Sequence, residues 1–583
     1  MDKTMTWDLE RMFASEEEIE SCIAEVREGL ERVEELKADM KKNLYPLFDL
    51  EEELGRKMEK LYVYASMKKD EDSTVSKSQK RILEMEILLS KFQAIFSFVS
   101  PYLLSLSDEE VEELKKHERY EHYKLMLERV FRNKEHMLSK EQEYILSSLQ
   151  EVMGATENTY DMLSYADMEF PIIESTPDKE RLTHTNYVKM LTDKGREIRK
   201  EAFEKMYETY GRFENTFAST LYGSVKANST TARLRHFESA RAMALFADDI
   251  DEKVYDTLLE CIHENLPTLY RYYEIKRRGL GLDEYHLYDI YASAIESYDR
   301  KIPFEEAKEI ILKAVEPMGE EYCSVVRRAF DERWIDVYPK KGKRAGAYSS
   351  GCYDSVPYIL MNYNDNIESL FTLIHELGHS VHSHYSRTSN PYIYSDYTIF
   401  VAEVASTTNE MLLINYLLKE STSVEEKIYL LNYFADMFKS TIFRQTMFAE
   451  FEKITHEKVD RGEALTAEEL KKSYYELNKL YFGEKVVVDE QIALEWARIP
   501  HFYSDFYVYK YATGLSAAVL LSEKILQKEE GALENYLNFL KNGSREFPIE
   551  QLRRAGADMA KKESVQRALD VFKQKVDELE ELL

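Results

Sequence analysis

The chain has 583 residues, of which 108 are acidic and 78 basic, and its formal net charge is −30 at pH 7. A chain of this length can bury a large core and still enclose a cavity. Its negative charge repels nucleic-acid phosphates and gives no attraction to an anionic membrane surface, so we expect neither nucleic acid nor membrane as a partner.

The amino terminus, MDKTMTWDLERMF, mixes charged with apolar residues and does not resemble a secretory signal. The longest mostly apolar stretch, residues 94–106, has about thirteen residues, whereas a membrane span needs roughly twenty. The four cysteines lie far apart without a CxxC pair, as in proteins of a reducing compartment: Cys22, Cys261, Cys323 and Cys352. The sequence therefore predicts a cytoplasmic protein.

Helical periodicity dominates the chain. Only 12 prolines and 19 glycines interrupt it, so we predict a mainly α fold with long helices. The first helix is predicted to begin after Ser15, because Ser15 and Glu18 match a capping box, and apolar residues follow at three- and four-residue steps as far as Met40. The charged segment Lys68–Ser78 is predicted to be a solvated loop between two such helices.

The main domain boundary is predicted near residue 190. Between Glu169 and Asn186 two prolines and a turn cluster interrupt the helical pattern, which resumes at Lys194. This divides the chain into an N-terminal helical region, residues 1–190, and a second domain, residues 191–583. The second domain contains one convincing strand, Val356–Asn364, which is rich in β-branched and aromatic residues.

The segment after that strand, LFTLIHELGHSVHSHY, contains the pattern HExxH at His375, Glu376 and His379. Residues four apart on a helix lie on one face, so both imidazoles can bind one metal ion while Glu376 stands beside them. Glu376 is then placed to take a proton from water and pass it to a leaving amine. Gly378 costs about 1 kcal/mol relative to alanine within a helix, which indicates a local need such as close packing. The alternative is a pair of core histidines without a metal.

A catalytic zinc has three protein ligands and one open position for water, so a third ligand must lie outside HExxH. His382 is seven residues from His375, roughly 10 Å of helical rise, and cannot share one tetrahedral site with it. His384 points to another face of the helix. The third ligand is therefore expected elsewhere in the chain.

Glu403 is the better candidate for the third ligand. It is the single carboxylate in the apolar run YTIFVAEVAS, and burying it there without a cation would be costly. Pairing with a basic side chain, or exposure to solvent, is the alternative for Glu403. Glu410 lies on roughly the same helical face as another possible ligand or as a hydrogen-bond partner of a zinc-bound histidine, a role that Asp396 also fits.

The segment HFYSDFYVYKY, residues 501–511, is the richest cluster of hydrogen-bond donors in the chain. Tyr503, Tyr507 and Tyr511 recur every four residues and are predicted to share one helical face, with His501 at the start of the segment. Such donors can stabilise a developing oxyanion. Because the chain has 42 tyrosines, packing in a core is the alternative for each of them, and Tyr509 stays open as a further donor.

Five separate blocks, in this order along the chain, resemble the M3 metallopeptidases and specifically their oligoendopeptidase F branch: TWDLERMF, KRAGAYSSGCYDSVPYILMNYN, HELGHSVHSHY, FVAEVASTTNE and IPHFYSDFYVYKYATG. The resemblance covers nearly the whole chain. It implies a large helical zincin-type metallopeptidase with a deep substrate channel and a small β element beside the active-site helix. Residues 1–190 would then form a lid and channel wall, and residues 191–583 the catalytic zinc domain.

The resemblance also implies a zinc-dependent oligoendopeptidase that binds one Zn²⁺ per chain and hydrolyses internal bonds of short unfolded peptides, with a metal-activated water and a glutamate general base. In proteins of this kind a late histidine and tyrosines stabilise the transition state. We carry that role to His501 and Tyr507 first, and then to Tyr503 and Tyr511. The spacing differs from the thimet-type branch, which leaves the choice among the tyrosines open.

The substrate is expected to add as an extended strand along Val356–Asn364, which would give broad sequence specificity. The loop Gly346–Gly351 either contacts substrate or is an ordinary turn. The oligomeric state stays open between monomer and homodimer.

Two other functions are compatible with the motif: a peptide-binding, chaperone-like protein with a structural zinc, and a zinc hydrolase of non-peptide amides. The intact Glu376 disfavours the first, because a structural site needs no general base.

Overall fold

The computed structural model describes residues 3–293 and 300–583, and within them the chain is mainly helical, which confirms the predicted fold class. The helices are α1 (Glu16–Lys37), α2 (Met40–Glu71), α3 (Ser76–Phe96), α4 (Val99–Leu104), α5 (Asp108–Lys115), α6 (Tyr120–Arg132), α7 (Lys140–Met153), α8 (Ala155–Asp161), α9 (His184–Leu191), α10 (Arg196–Gly211), α11 (Glu214–Leu234), α12 (Ala240–Phe246), α13 (Glu252–Gly279), α14 (Phe304–Ala314), α15 (Gly319–Asp331), α16 (Ile367–Ser389), α17 (Ile399–Glu420), α18 (Val424–Phe438), α19 (Arg444–Asp460), α20 (Ala467–Phe482), α21 (Tyr509–Leu526), α22 (Ala532–Leu540), α23 (Pro548–Ala555) and α24 (Lys562–Leu582). The strands are β1 (Tyr285–His286), β2 (Ile335–Asp336), β3 (Tyr348–Ser350), β4 (Tyr358–Leu360) and β5 (Val486–Val487).

The chain forms two compact units, each assembled from three segments. Unit 1 comprises Met1–Glu135, Asp299–Tyr416 and Leu521–Gly556, and unit 2 comprises His136–Tyr298, Leu417–Leu520 and Ala557–Leu583. The division of function at residue 190 stays a prediction, as does the deep channel.

Helices α1, α2 and α3 pack together at the start of unit 1. The predicted start of α1 is confirmed, because the Ser15 side chain accepts a hydrogen bond from the Glu18 N–H. The prediction that this helix continues to Met40 is wrong: α1 ends at Lys37, and Asp39 caps a new helix by accepting from Lys42. The predicted loop is also shorter than Lys68–Ser78, since α2 extends to Glu71 and α3 begins at Ser76.

The stretch Ser76–Leu104, which contains α3 and α4, is long and apolar enough to cross a membrane by length and composition alone. Core helices of soluble proteins pass the same test. In unit 1, α3 packs on α1 and α2 and buries Ile82, Met85 and Leu88. The absence of a membrane partner stays a prediction.

A three-stranded sheet in unit 1 lies beside the helix that carries HExxH. Its order is β2–β4–β3, with β2 parallel and β3 antiparallel to β4. Within the predicted strand Val356–Asn364, only β4 has strand pairing. After β4 the chain turns at Asp365, whose φ is +52°, and Asn366 caps α16 by accepting from the Ser369 N–H.

Unit 2 buries a network of charged and phenolic groups in its core. The Glu495 carboxylate, 4% exposed, accepts hydrogen bonds from Arg444 at 2.7 Å and from the Tyr474 hydroxyl at 2.7 Å. Arg498 donates to the same carboxylate at 3.2 Å. The two guanidinium groups outweigh the effect of burial and lower the pKa of Glu495 to about 2. This network joins α19, α20 and the 490–498 turns into one core.

Candidate metal centre

Helix α16 presents the two histidines of HExxH to one point. The residues that surround them on the helix, Leu373, Ile374, Leu377 and Val381, are fully buried and fix which face of α16 packs into unit 1. His375 and His379 are four residues apart, so their rings lie one turn apart on the same face. Their Nε2 atoms are 3.2 Å from each other, as required for two imidazoles that bind one ion.

Helix α17 brings a carboxylate to the same point. Glu403 Oε2 lies 3.5 Å from His375 Nε2 and 3.8 Å from His379 Nε2. In a tetrahedral zinc site with bonds of about 2.0–2.1 Å, neighbouring ligand atoms are about 3.3 Å apart. The three donor atoms therefore fit a zinc ion with only small adjustments. Together these three residues form the metal cluster: His375, His379 and Glu403.

The burial expected for Glu403 is only partly observed. Its neighbours Val401 and Val404 are fully buried, but the Glu403 side chain is 41% exposed. The reason is that the face of α17 that carries Glu403 looks toward the two imidazoles and not into the apolar core. Ser406 Oγ donates to Glu403 Oε2 at 3.1 Å, which fixes the carboxylate in this orientation.

Gly378 permits the close approach of α16 and α17, as its place in the motif predicts. A Cβ atom at residue 378 would lie 2.6 Å from Ser406 Cα and 2.9 Å from the Ala405 carbonyl oxygen. Any side chain larger than hydrogen would push the two helices apart. The glycine thus sets the distance between the histidine pair and Glu403.

Glu410 and Ala402 orient the two imidazoles. The Glu410 carboxylate hydrogen-bonds His375 Nδ1, on the side of the ring opposite Nε2, and the Ala402 backbone hydrogen-bonds His379. Glu410 is therefore a hydrogen-bond partner of the candidate ligand His375 and not itself part of the metal cluster. Asp396 is exposed, and its carboxylate accepts from the Tyr397 N–H at 2.9 Å; within the described residues it makes no hydrogen bond or ion pair with either imidazole.

Glu376 stands beside the metal cluster and is 8% exposed. Burial, with a contribution from the Glu403 charge, raises the pKa of Glu376 to about 7, although His375 and a hydrogen bond from the Ser349 N–H act in the opposite direction. A carboxyl group with a pKa near neutrality suits proton transfer to and from water.

Ser349 is a contact of Glu376 that the sequence reasoning missed. The sequence predicts a substrate-binding loop or an ordinary turn for the segment that contains Ser349, whereas the structure forms β3 there. Ser349 Oγ also lies 2.8 Å from Ser380 Oγ on α16, which ties the strand to the helix. The only sequence feature that points to Ser349 is the serine pair in GAYSSG, which precedes the predicted strand and HExxH.

His382 lies in the core of unit 1, apart from the metal cluster. It is fully buried, stacks on Tyr397 with ring centroids 3.7 Å apart, and packs against Phe539 of α22. Burial lowers its pKa to about 3, so it is neutral. Helix α16 also contacts this region at its end. The Asn390 side-chain amide donates to the Lys541 carbonyl at 2.8 Å, which joins the end of α16 to the chain after α22.

The late segment, residues 501–511, lies in unit 2 and does not form one helix. The chain makes a turn at Pro500–Tyr503 and a second turn through Phe506, and α21 begins only at Tyr509. The prediction that Tyr503, Tyr507 and Tyr511 share one helical face is therefore wrong. The reason is the backbone of Phe506, whose φ of +50° cannot continue a right-handed helix.

Three of the predicted donors nevertheless form one group in unit 2. The His501 ring is 6.4 Å from that of Tyr507 and 6.2 Å from that of Tyr511, and the two tyrosine hydroxyls are 3.4 Å apart. We call His501, Tyr507 and Tyr511 the late donor group. Tyr503 is separate, since its hydroxyl hydrogen-bonds Thr220 at 2.7 Å. Tyr509 is fully buried against Tyr255, as expected of a core residue.

Comparison with known proteins gives consistent matches over the whole chain. The family model "Peptidase family M3" matches residues 189–571, and the model "Oligopeptidase F" matches residues 103–170. The chain is 42% identical to oligopeptidase PepF of Bacillus subtilis over 99% of this chain and 87% of the relative. It is 40% identical to group B oligopeptidase PepB of Streptococcus agalactiae over 100% of this chain and 98% of the relative.

Solved structures give the same result. A Chlamydophila abortus protein described as a peptidase superposes with a TM-score of 0.94 at 34% identity, covering 100% of this chain and 99% of that one. Oligoendopeptidase-F of Enterococcus faecium superposes with a TM-score of 0.75 at 36% identity, covering 97% of this chain and 99% of the other. Sequence and fold therefore resemble the same group of proteins.

Proposed function

We propose that this chain, which belongs to peptidase family M3 in its oligoendopeptidase F branch, is a zinc-dependent enzyme that hydrolyses internal bonds of short unfolded peptides. Membership of the family makes the chain a metalloendopeptidase with peptide substrates and a catalytic metal. The observation that carries the zinc proposal is the metal cluster, because two imidazoles and one carboxylate at tetrahedral spacing suit Zn²⁺.

His375, His379 and Glu403 would hold one zinc ion per chain. When bound, zinc polarises the carbonyl of the scissile peptide and lowers the pKa of a water molecule. Glu376, which is buried beside the cluster, accepts a proton from the attacking water and then delivers it to the leaving amine. Hydrolysis therefore needs no covalent bond between the enzyme and the peptide.

The sheet of unit 1 supports a different substrate strand from the one expected. β4, in the middle of the predicted strand Val356–Asn364, has both edges paired, with β2 and with β3. An extended peptide can add only to an open edge, and β3 is an outer strand of this sheet. Because the Ser349 N–H of β3 bonds Glu376, a peptide along β3 would lie next to the proposed base. Main-chain pairing of this kind gives affinity with little dependence on substrate sequence.

The late donor group is proposed to stabilise the oxyanion that forms during attack. His501 and Tyr507 have this role first, and their parallel rings, 6.4 Å apart, support a joint function. Tyr511 supports Tyr507 through its hydroxyl, whereas Tyr503 is the weaker candidate because Thr220 already occupies its hydroxyl. Each such donor is worth about 3–4 kcal/mol in a water-excluded site.

A cytoplasmic location and a monomer or homodimer complete the proposal. The location is supported by the four cysteines, which are all free: Cys22, Cys261, Cys323 and Cys352. Free thiols are usual in a reducing compartment.

The experiment that tests the function combines metal analysis with mass-spectrometric mapping of cleavage in a mixed peptide pool. We expect about one zinc per chain, cleavage at internal bonds, and loss of cleavage with a chelator. A ladder of peptides of increasing length, and the same cleavage sequence inside a folded domain, test the preference for short unfolded substrates. Cleavage of the folded domain at an equal rate would contradict it.

The variant Glu376→Gln tests the base. It should lose hydrolysis of a quenched short peptide by at least about a hundredfold yet keep wild-type zinc content, because residue 376 is not a ligand in the proposal. Asp396→Asn is the matched control, since this exposed carboxylate lies outside the metal cluster and should leave turnover unchanged. Near-normal turnover of Glu376→Gln would remove Glu376 from the mechanism.

A further inference from the structure

One residue with an unusual backbone conformation, Phe506, lies within the segment that carries the late donor group. Phe506 lies between His501 and Tyr507, at the turn that ends one short helix and leads into α21. Its φ of +50° falls in the left-handed region, which a bulky side chain rarely adopts. A backbone in this state persists only where the surrounding structure holds it.

Glu452 on α19 holds the Phe506 backbone. Its Oε1 accepts a hydrogen bond from the Phe506 N–H at 2.5 Å, and the Glu452 side chain is almost fully buried, with the residue 2% exposed. Its other oxygen, Oε2, is buried and has no hydrogen-bond partner within the described residues. Among the described residues, the carboxyl group therefore makes one hydrogen bond, and its donor is the strained residue Phe506.

The surroundings of Phe506 leave its ring little freedom. His456, one turn after Glu452 on α19, has its ring 4.6 Å from that of Phe506, and the Tyr255 ring of α13 is 5.8 Å away. Phe506 is 2% exposed. Residues of α13 and α19 therefore enclose the Phe506 ring, while Glu452 hydrogen-bonds the Phe506 main chain.

A gain in folding stability does not explain why a carboxyl group occupies the buried position 452. Burial raises the pKa of Glu452 well above its usual range; the hydrogen bond from the Phe506 N–H acts in the opposite direction, and the Asp505 charge adds to the rise. An apolar side chain of the same size would avoid the cost of burying Oε2 without a partner. It would also leave the Phe506 N–H without an acceptor and the left-handed turn without its support.

We propose that Glu452 is a positioning residue for the reaction, which holds Phe506 in the left-handed conformation and thereby sets the positions of His501 and Tyr507. This inference rests on the proposed function, because it takes the late donor group to act on the transition state. Glu452 acts through the main chain and does not itself touch substrate.

Three substitutions separate positioning from general stability. Glu452→Met keeps the volume but removes the acceptor, Glu452→Gln keeps a neutral carbonyl acceptor, and Glu452→Asp withdraws the acceptor by about 1.5 Å, one C–C bond. Glu450→Gln is the matched control on the same helix, because Glu450 pairs with His263 and Tyr481 and not with the late segment. All variants are compared as zinc-loaded full-length protein, with circular dichroism and melting temperature measured in parallel.

We expect Glu452→Met to lower kcat between about ten- and a hundredfold, because small misplacements of a transition-state donor have effects of this size. KM should change by no more than about twofold, since ground-state binding does not use the donor. Glu452→Gln should have a kcat close to that of the wild type, and the kcat of Glu452→Asp should lie between those of Glu452→Gln and Glu452→Met. Glu450→Gln should keep the wild-type kcat even if its melting temperature falls. If Glu452→Met is not folded at the assay temperature, Glu452→Asp carries the same comparison.

A double-mutant cycle decides whether Glu452 acts through the late donor group. In a Tyr507→Phe or His501→Ala background, Glu452→Met should cause a much smaller further loss than in the wild type. An undiminished loss in both backgrounds, or full activity of Glu452→Met alone, would overturn the inference. If Tyr507→Phe and His501→Ala are both fully active, the proposed roles of His501 and Tyr507 fail and the inference fails with them, whereas the zinc and Glu376 assignments are unaffected.

Discussion

Substitution of Gly378 by alanine tests how the two helices of the metal centre are held together. The new Cβ would lie 2.6 Å from Ser406 Cα and 3.1 Å from the Ser406 nitrogen. Carbon atoms in contact settle about 3.5–4.0 Å apart, so α17 has to move away from α16 by about 1 Å. Overpacking of this kind costs about 1–3 kcal/mol of folding stability.

The same displacement reaches the metal cluster. Glu403 is three residues before Ser406 on α17, so its carboxylate moves with the helix while both histidines stay on α16. Metal–ligand distances tolerate only about 0.2 Å, which is much less than the displacement. We therefore expect zinc affinity to fall about ten- to a hundredfold and turnover of the loaded enzyme to fall by up to about a hundredfold.

Competition with a fluorescent zinc chelator measures the affinity, and a quenched peptide at saturating zinc measures the turnover. Gly154→Ala is the control: its Cβ would meet only ordinary contacts, 3.6 Å and 3.7 Å away, and its φ is −72°. A Gly378→Ala protein with wild-type zinc affinity and wild-type kcat would show that the glycine does not set the helix spacing.

Three further outcomes follow from the site and the core. Glu403→Ala should bind less zinc by elemental analysis, and unchanged zinc would move the third ligand to Glu410 or elsewhere. Tyr507→Phe should lower kcat more than it raises KM in steady-state assays, because the hydroxyl acts on the chemical step; an unaltered kcat would transfer the role to Tyr511. Glu495→Gln should lose about 3 kcal/mol of unfolding free energy at pH 7, since a pKa lowered from 4.5 to about 2 stabilises the folded state above pH 4.5. That difference from the wild type, measured by urea unfolding, should shrink as the pH falls toward 2, and a difference independent of pH would contradict it.

Much of the metal centre could be predicted from the sequence because it depends on local rules. Helical periodicity places His375 and His379 on one face, and a lone carboxylate in an apolar run singles out Glu403 as their partner, although its side chain is less buried than that argument expects. The glycine inside HExxH indicates a close helix contact, which the structure shows at Ser406. These inferences need only the geometry of a single helix and the cost of burying charge.

The features that were missed depend on residues far apart in the chain. The carboxylate of Glu376 accepts from Ser349, which is 27 positions earlier, and Glu452 reaches Phe506, 54 positions later. No periodicity in the sequence pairs such residues. The late tyrosines show the same limit, because four-residue spacing predicts a helix while a buried acceptor on α19 holds the chain in a turn.

Assembly of unit 1 from three segments affects how the protein is made in the cell. Helix α16 packs against α22 through His382 and Phe539, and Asn390 at its end donates a hydrogen bond to the Lys541 carbonyl, which lies 151 residues farther along the chain. A ribosome adds roughly 5–20 residues per second, so on the order of ten seconds separate the two helices during synthesis. Over that interval the nascent chain contains His375, His379 and Glu376 without the α22 contacts that support their helix, so we expect the metal centre to form only when translation is nearly finished.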